Sequence, residues 1–149
     1  MDLYQELIIE HSKRPQRMGL RTPFDAEVHH VNPTCGDEIT LRVDRDGEVL
    51  TDISYDALGC AISVASASML AEQLTGTDLD TARDTFAAIR TMLTSKGADP
   101  GDEDVIGDAV ALAGVAQYPA RVKCALLSWM ALADALAKTG VNLAEETHV

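Results

Sequence analysis

The alternation of hydrophobic and polar positions divides the chain into a β region followed by a mainly helical region. Residues 26–31 and 39–43 alternate between apolar and polar side chains, a pattern typical of strands with one buried face. A third strand is predicted over residues 49–58, and the preceding Asp-Arg-Asp-Gly sequence at 44–47 is typical of a hairpin turn. The short connections between these segments predict a small three-stranded antiparallel sheet.

Apolar residues recur at helical spacing before and after the sheet, and glycine or proline residues mark where each helical segment stops. Thr77 and Asp80 resemble a capping box that opens one of these helices. About five helices packed on the sheet predict an α+β fold, in a single domain over residues 1–149. The predicted helices cover residues 2–13, 60–75, 77–96, 105–113 and 119–139.

Composition and charge limit the possible partners. The chain has 149 residues, of which 46% are hydrophobic and 24% charged, as in an ordinary globular domain. Its net charge of −12 argues against nucleic acid and against an anionic membrane surface, and it suits a partner with a basic patch. No segment has the roughly 18 consecutive apolar residues of a membrane span, so we expect no membrane partner.

The cysteine count indicates the cellular compartment. Three cysteines in a chain of this length favour reduced thiols over a disulfide framework. Residues 1–17 mix charged and apolar side chains and lack the apolar block of a signal peptide. We therefore expect a cytoplasmic protein.

The stretch around which the chemistry is organised is the turn Asn-Pro-Thr-Cys-Gly-Asp at residues 32–37. Cys35 and Asp37 lie two residues apart, and Gly36 between them lets the backbone fold tightly. The period of two places Asp37 on the same inward face as Ile39 and Leu41. An inward carboxylate needs a cation or a strong hydrogen-bond donor, so this turn suits a divalent metal.

The other two cysteines, Cys60 and Cys124, are both predicted at helix starts, where the helix dipole lowers the pKa of a thiol. Cys124 is placed in the first turn of the last helix, off the apolar face of Val122 and Leu126. The alternative is three reduced, partly buried thiols that act as small hydrophobes. No C-x-x-C pair is present, so spacing alone does not decide between the two, and the Cys35–Asp37 turn favours the metal site.

Other polar candidates have simpler interpretations. His29 and His30 are neighbours on a predicted strand, point to opposite faces and cannot share a metal. We expect His11 to be a packed helical histidine. Arg121 and Lys123 flank Cys124 and are either solvated charges or supporting charges that offset an anionic site.

Three motifs together resemble the U-type iron–sulfur cluster assembly proteins. They are the turn at 32–37, Gly-Cys-Ala-Ile-Ser at 59–63, and Tyr-Pro-Ala-Arg-Val-Lys-Cys at 118–124. The resemblance covers nearly the whole chain and implies a three-stranded antiparallel sheet with helices on one side. Lys123 before the third cysteine, in place of the histidine of the IscU scaffold branch, and the extra residues between Cys60 and Cys124 are similar to the SufU branch.

This resemblance implies a zinc site with Cys35, Asp37, Cys60 and Cys124 as ligands, and Cys35 as the acceptor of sulfur from a SufS-type cysteine desulfurase. A downstream iron–sulfur assembly scaffold would then take the sulfur. One alternative is a scaffold that holds iron or a [2Fe–2S] cluster on the same four residues. Another is a structural zinc module without chemistry, although a core of this size does not need a metal in order to fold.

Overall fold

Three antiparallel strands form the sheet of this computed structural model, which describes residues 2–143. The strands are β1 (Ala26–Asn32), β2 (Asp37–Asp46) and β3 (Val49–Leu58), in the order β1-β2-β3. In the register between β1 and β2, Asn32 lies opposite Asp37, so their four-residue connection forms one end of the sheet. The predicted sheet and its hairpins are confirmed.

Within residues 2–143, five α-helices and one 3₁₀ helix accompany the sheet, in agreement with the predicted α+β fold. Each α-helix of more than four residues lies within about three residues of its predicted limits. The elements are α1 (Leu3–Lys13), α2 (Ala61–Leu74), α3 (Leu79–Leu93), α4 (Glu103–Ile106), the 3₁₀ helix (Gly107–Gln117) and α5 (Pro119–Lys138). Within residues 2–143, none of them combines the length and apolar character needed to cross a membrane.

The core lies between the sheet and the helices. α5 packs on β1 and β2, and α2 packs on β3. Cys60 contacts Asp37 and Cys124 contacts Cys35, so both helices begin near the same end of the sheet. Ser66 on α2 joins the two helices, because its Oγ donates to the Ala125 carbonyl at 2.6 Å and accepts from Trp129 Nε1 at 3.0 Å. Small residues on α2 allow this close approach.

Two helix starts differ from the sequence prediction. The side chain of Asp78 caps α3 by accepting from the Thr81 backbone N–H at 2.8 Å, so the predicted Thr77–Asp80 capping box is wrong. The predicted helix over 105–113 is in fact a single turn of α4 and then the 3₁₀ helix. Gly107, with φ of +57°, separates the two.

The buried face of α5 also differs from the prediction. Val122 and Leu126 are only half-buried, whereas Cys124, Ala125 and Ser128 are buried. Cys124 is the sixth residue of a helix that begins at Pro119, so it lies in the second turn and faces inward. The expectation that it sits in the first turn and off the apolar face is therefore wrong. Residues 144–149, which follow the last predicted helix, lie outside the described residues.

Candidate metal centre

The connection between β1 and β2 presents Cys35 at the surface. The Asn32 carbonyl accepts the backbone N–H groups of Cys35 at 3.3 Å and Gly36 at 2.9 Å, and the Asn32 side-chain oxygen accepts from Thr34 at 3.3 Å. Gly36 has φ of +73°, a conformation that favours glycine. The resulting tight turn leaves the Cys35 side chain exposed.

Asp37 points inward at the start of β2, as the period of two predicted, and its side chain is fully buried. Its Oδ1 accepts the backbone N–H of Cys60 at 2.9 Å, and its Oδ2 lies 3.9 Å from Cys60 Sγ. Gly59 leaves room for the carboxylate, since a Cβ atom there would overlap the Asp37 side chain. Asp37 thus connects the cysteine turn to the beginning of α2, where Cys60 is the N-cap residue.

The sulfurs of Cys124 and Cys35 lie 3.1 Å apart, although the two residues are 89 positions apart in the sequence. Burial raises the pKa of the Cys124 thiol, and hydrogen bonding to Asp37 and Cys35 raises it further. The expectation that the dipole of α5 lowers this pKa is wrong, because Cys124 lies inside the core and beyond the first turn. A bound cation would favour the thiolate form of Cys124.

The structure brings three of the four predicted ligands into one compact group. One ligand atom from each of Cys35, Asp37 and Cys124 lies within 4.8 Å of the others. Cys60 is half-exposed and contacts Asp37. Its sulfur does not lie within 4.8 Å of all three of the other ligand atoms.

The donor set fits a divalent, thiol-binding metal. Asp37 is a fully buried carboxylate, and within residues 2–143 it forms no ion pair with a lysine, arginine or histidine. A buried carboxylate without a cation is costly, whereas three thiolates and one carboxylate match the tetrahedral preference of Zn²⁺. The same donors would also accept iron.

Asn32 is a residue of this centre that the sequence analysis did not single out. Its side chain is buried, and its Nδ2 lies 3.9 Å from Cys124 Sγ while its carbonyl holds the cysteine turn. The available signal was its position immediately before Pro33 in the turn. Amide donors beside a metal ligand commonly orient it and tune its affinity for the metal.

The remaining polar candidates are not part of this group of ligand atoms. His29 bonds to Thr40 and His30 to Asp134, so the expectation that they are ordinary strand residues agrees with their contacts. Arg121 and Lys123 are both exposed, and neither forms an ion pair within residues 2–143. Arg121 lines a largely apolar cavity of about 470 Å³ together with Tyr118 and Ile62, close to the starts of α5 and α2.

Comparison with known proteins shows which family this architecture matches. Residues 3–125 match the family model of the NifU-like N-terminal domain. A Bacillus subtilis protein named zinc-dependent sulfurtransferase SufU is 40% identical over 91% of this chain and 90% of its own length. The scaffold protein IscU of Streptococcus pyogenes, named for iron–sulfur cluster assembly, is 37% identical over 92% of this chain and 84% of its own length.

Solved structures agree with these matches. A Fervidobacterium islandicum protein, described as a scaffold for the SUF system of iron–sulfur cluster assembly, superposes with a TM-score of 0.80 at 34% identity, covering 88% of this chain and 94% of its own. The N-terminal part of a Brucella abortus NifU-like protein gives a TM-score of 0.84 at 27% identity, covering 93% and 94%. The chain therefore belongs to the family of NifU-like N-terminal domains, the U-type iron–sulfur cluster assembly proteins, as its three cysteine motifs predicted.

Proposed function

We propose that this protein is a zinc-dependent acceptor that takes sulfur from a SufS-type cysteine desulfurase for iron–sulfur cluster assembly. The observation that carries the proposal is the exposed Cys35 thiol, held against the buried Cys124 thiol and the fully buried Asp37 carboxylate. Cys35, Asp37, Cys60 and Cys124 would hold the zinc. Bound zinc would stabilise the thiolate forms of the cysteines at neutral pH.

Cys35 is the thiol best placed to carry sulfur. It is exposed, whereas Cys60 is half-exposed at the start of α2 and Cys124 is buried in α5. In the reaction, the Cys35 thiolate attacks the outer sulfur of the persulfide on the desulfurase. A new sulfur–sulfur bond forms on Cys35, the bond to the desulfurase cysteine breaks, and that cysteine leaves as a thiolate. No net oxidation or reduction occurs.

The surroundings of the turn support docking of a partner protein. Leu58 and Val31, beside the cysteine-bearing ends of β3 and β1, are exposed at 68% and 52%. The net charge of −12 would favour a desulfurase surface with a basic patch. The persulfide on Cys35 would then pass to a downstream assembly scaffold, and this chemistry requires a reducing compartment such as the cytoplasm.

The test is to incubate the zinc-loaded protein with a SufS-type desulfurase and cysteine, trap thiols by alkylation, and locate the added sulfur by mass spectrometry. We expect a persulfide on Cys35 and its loss in Cys35→Ser. Persulfide mainly on Cys60 or Cys124, or full sulfur transfer by Cys35→Ser, would contradict the assignment.

A second candidate function is a scaffold for a [2Fe–2S] cluster. The observation that favours it is the 37% identity to the Streptococcus pyogenes protein, which is named as a scaffold. Metal analysis and an absorption spectrum of anaerobically purified protein separate the two functions. Stoichiometric zinc without visible bands supports the sulfur acceptor, whereas stoichiometric iron with charge-transfer bands supports the scaffold.

A further inference from the structure

A second group of metal-binding side chains lies outside the cysteine centre, where three helical elements meet. His11 comes from the last turn of α1, Glu72 from the last turn of α2, and Asp108 from the first turn of the 3₁₀ helix. His11 Nε2 lies 2.9 Å from Asp108 Oδ2 and 4.0 Å from Glu72 Oε1. One ligand atom from each of the three residues lies within 4.8 Å of the others.

The imidazole of His11 is held rigidly. The residue is 5% exposed, and its Nδ1 lies 2.7 Å from Ser68 Oγ. Ser68 Oγ also accepts the Gln16 backbone N–H at 2.7 Å. The Ser68 hydroxyl oxygen has two lone pairs, so it can accept a hydrogen bond from His11 Nδ1–H as well as from Gln16. In that tautomer, Nε2 presents its lone pair toward the two carboxylates.

Two carboxylates converge on this one nitrogen, which is more than a single hydrogen bond requires. Both side chains are about half-exposed, at 50% for Glu72 and 46% for Asp108. Within residues 2–143, neither forms an ion pair with a lysine or arginine. Two carboxylates that meet at one imidazole nitrogen, in a protein of net charge −12, favour a divalent cation.

We propose that His11, Glu72 and Asp108 form a second divalent-cation site, suited to ions such as Mn²⁺ or Fe²⁺ that take nitrogen and carboxylate ligands. At metal–ligand bonds of about 2.1 Å, adjacent ligands of an octahedral ion lie about 3.0 Å apart and opposite ligands about 4.2 Å apart. The distances of 2.9 and 4.0 Å from His11 Nε2 are compatible with ligand atoms arranged around one such ion. Water would fill the remaining positions, because the carboxylates face solvent.

The site differs in chemistry from the cysteine centre, so the two can be loaded separately. Thiolates favour zinc, whereas a site of one imidazole and two carboxylates accepts Mn²⁺. A bound ion would connect α1, α2 and the 3₁₀ helix, and its stabilisation of the native state would grow with the logarithm of the ion concentration above the dissociation constant.

The experiment titrates Mn²⁺ into protein already loaded with one equivalent of Zn²⁺ and follows free Mn²⁺ by electron paramagnetic resonance. We expect one saturable site per chain. In proton NMR spectra, paramagnetic broadening should be greater for the ring protons of His11 than for those of any other histidine. Asp108→Asn and Glu72→Gln should each weaken Mn²⁺ binding by about 10-fold or more without changing the zinc content. Asp104→Asn, an exposed carboxylate in α4 that does not contact His11, is the matched control and should bind normally.

Three results would overturn the site. Binding that never saturates, or that falls equally in Asp104→Asn, would show a general attraction of cations to an acidic surface. Broadening centred on another histidine would place the ion elsewhere. Normal Mn²⁺ affinity in both Asp108→Asn and Glu72→Gln would leave the contact between His11 and Asp108 as a structural hydrogen bond only. None of these measurements depends on sulfur transfer, so a failure of the second metal site would leave the proposed function untouched.

Discussion

At the scale of single residues, the position of the Asp37 carboxylate depends on the absence of a side chain at residue 59. Gly59 does not have a left-handed φ, so alanine is compatible with its backbone. The cost of Gly59→Ala therefore comes from the overlap of the new Cβ with Asp37 and not from backbone strain. This separates the function of Gly59 from that of the turn glycine Gly36.

We predict that Gly59→Ala displaces the Asp37 carboxylate and weakens zinc binding by about 10-fold or more, measured by competition with a chromophoric chelator. Gly114→Ala is the matched control, because its Cβ meets no atom within 4 Å and its φ is not positive. Equal zinc affinity in Gly59→Ala and the wild-type protein would show that Asp37 is not a ligand.

The inward position of Asp37 could be predicted from sequence because a strand alternates strictly between two faces. The burial of Cys124 could not, since it depends on which side of α5 faces the sheet. Alanine and serine residues such as Ala125 and Ser128 pack closest to the core, yet they contribute little to an apolar pattern. The contact of Asn32 with Cys124 joins residues 92 positions apart, so the place of Asn32 in the turn does not by itself predict that contact.

At the scale of elements, an ion-pair cluster attaches the segment that connects α1 with β1 to strand β3. Arg21 contacts Asp52 through Nε at 2.9 Å and Nη2 at 3.0 Å, and Arg17 contacts it at 2.8 Å. The hydrogen bond from Arg21 lowers the pKa of Asp52 below its ordinary value, against the opposing effect of burial. A lowered carboxyl pKa means that the folded state favours the charged form.

We predict that Asp52→Asn lowers the free energy of unfolding by about 1 kcal/mol at pH 7. The contribution of Asp52 is fully present above the unfolded-state pKa near 3.8, and it is lost as the pH falls through the lower folded-state pKa. Urea unfolding at pH 7 and near pH 3 measures both values, and the difference between the variant and the wild-type protein should shrink at the lower pH. A constant difference would show that the substitution acts through packing and not through charge.

The helices and strands were predictable where one period persists over several turns or residue pairs, as in β2 and α3. The 3₁₀ helix was not, because its buried residues include both Ala109–Leu112 in succession and Val115, and no single face dominates. The start of α3 was misplaced by one residue, since Thr77 and Asp78 are both good caps and only the final backbone geometry decides between them.

At the scale of the whole molecule, the candidate metal centre links parts of the chain that are far apart in sequence. Its residues come from the turn between β1 and β2, the start of β2, the N-cap of α2 and the second turn of α5. A metal bound there would connect the sheet to both helices that cover it. A metal that binds the native state more tightly than the unfolded chain adds to the stability of the whole domain.

We predict that removing zinc by chelation lowers the melting temperature by about 10 °C, which corresponds to about 4 kcal/mol for an ion present at 1,000 times its dissociation constant. Differential scanning calorimetry of zinc-loaded and stripped protein measures the change, and re-addition of Zn²⁺ should restore it. An unchanged melting temperature would mean that the bound metal does not contact these elements.

The 3.1 Å separation of the Cys35 and Cys124 sulfurs has a consequence for oxidative damage. A disulfide bond is about 2.05 Å long, so a small approach would join the two thiols once the metal is gone. Hydrogen peroxide would accept two electrons and two protons from the pair and yield water.

We predict that stripped protein treated with peroxide retains one free thiol, Cys60, whereas zinc-loaded protein retains all three. Thiol counting and peptide mapping check this, and a disulfide to Cys60 or between two chains would contradict it. Zinc bound at this centre would then also protect Cys35 from oxidation by peroxide and keep its thiol available for sulfur transfer.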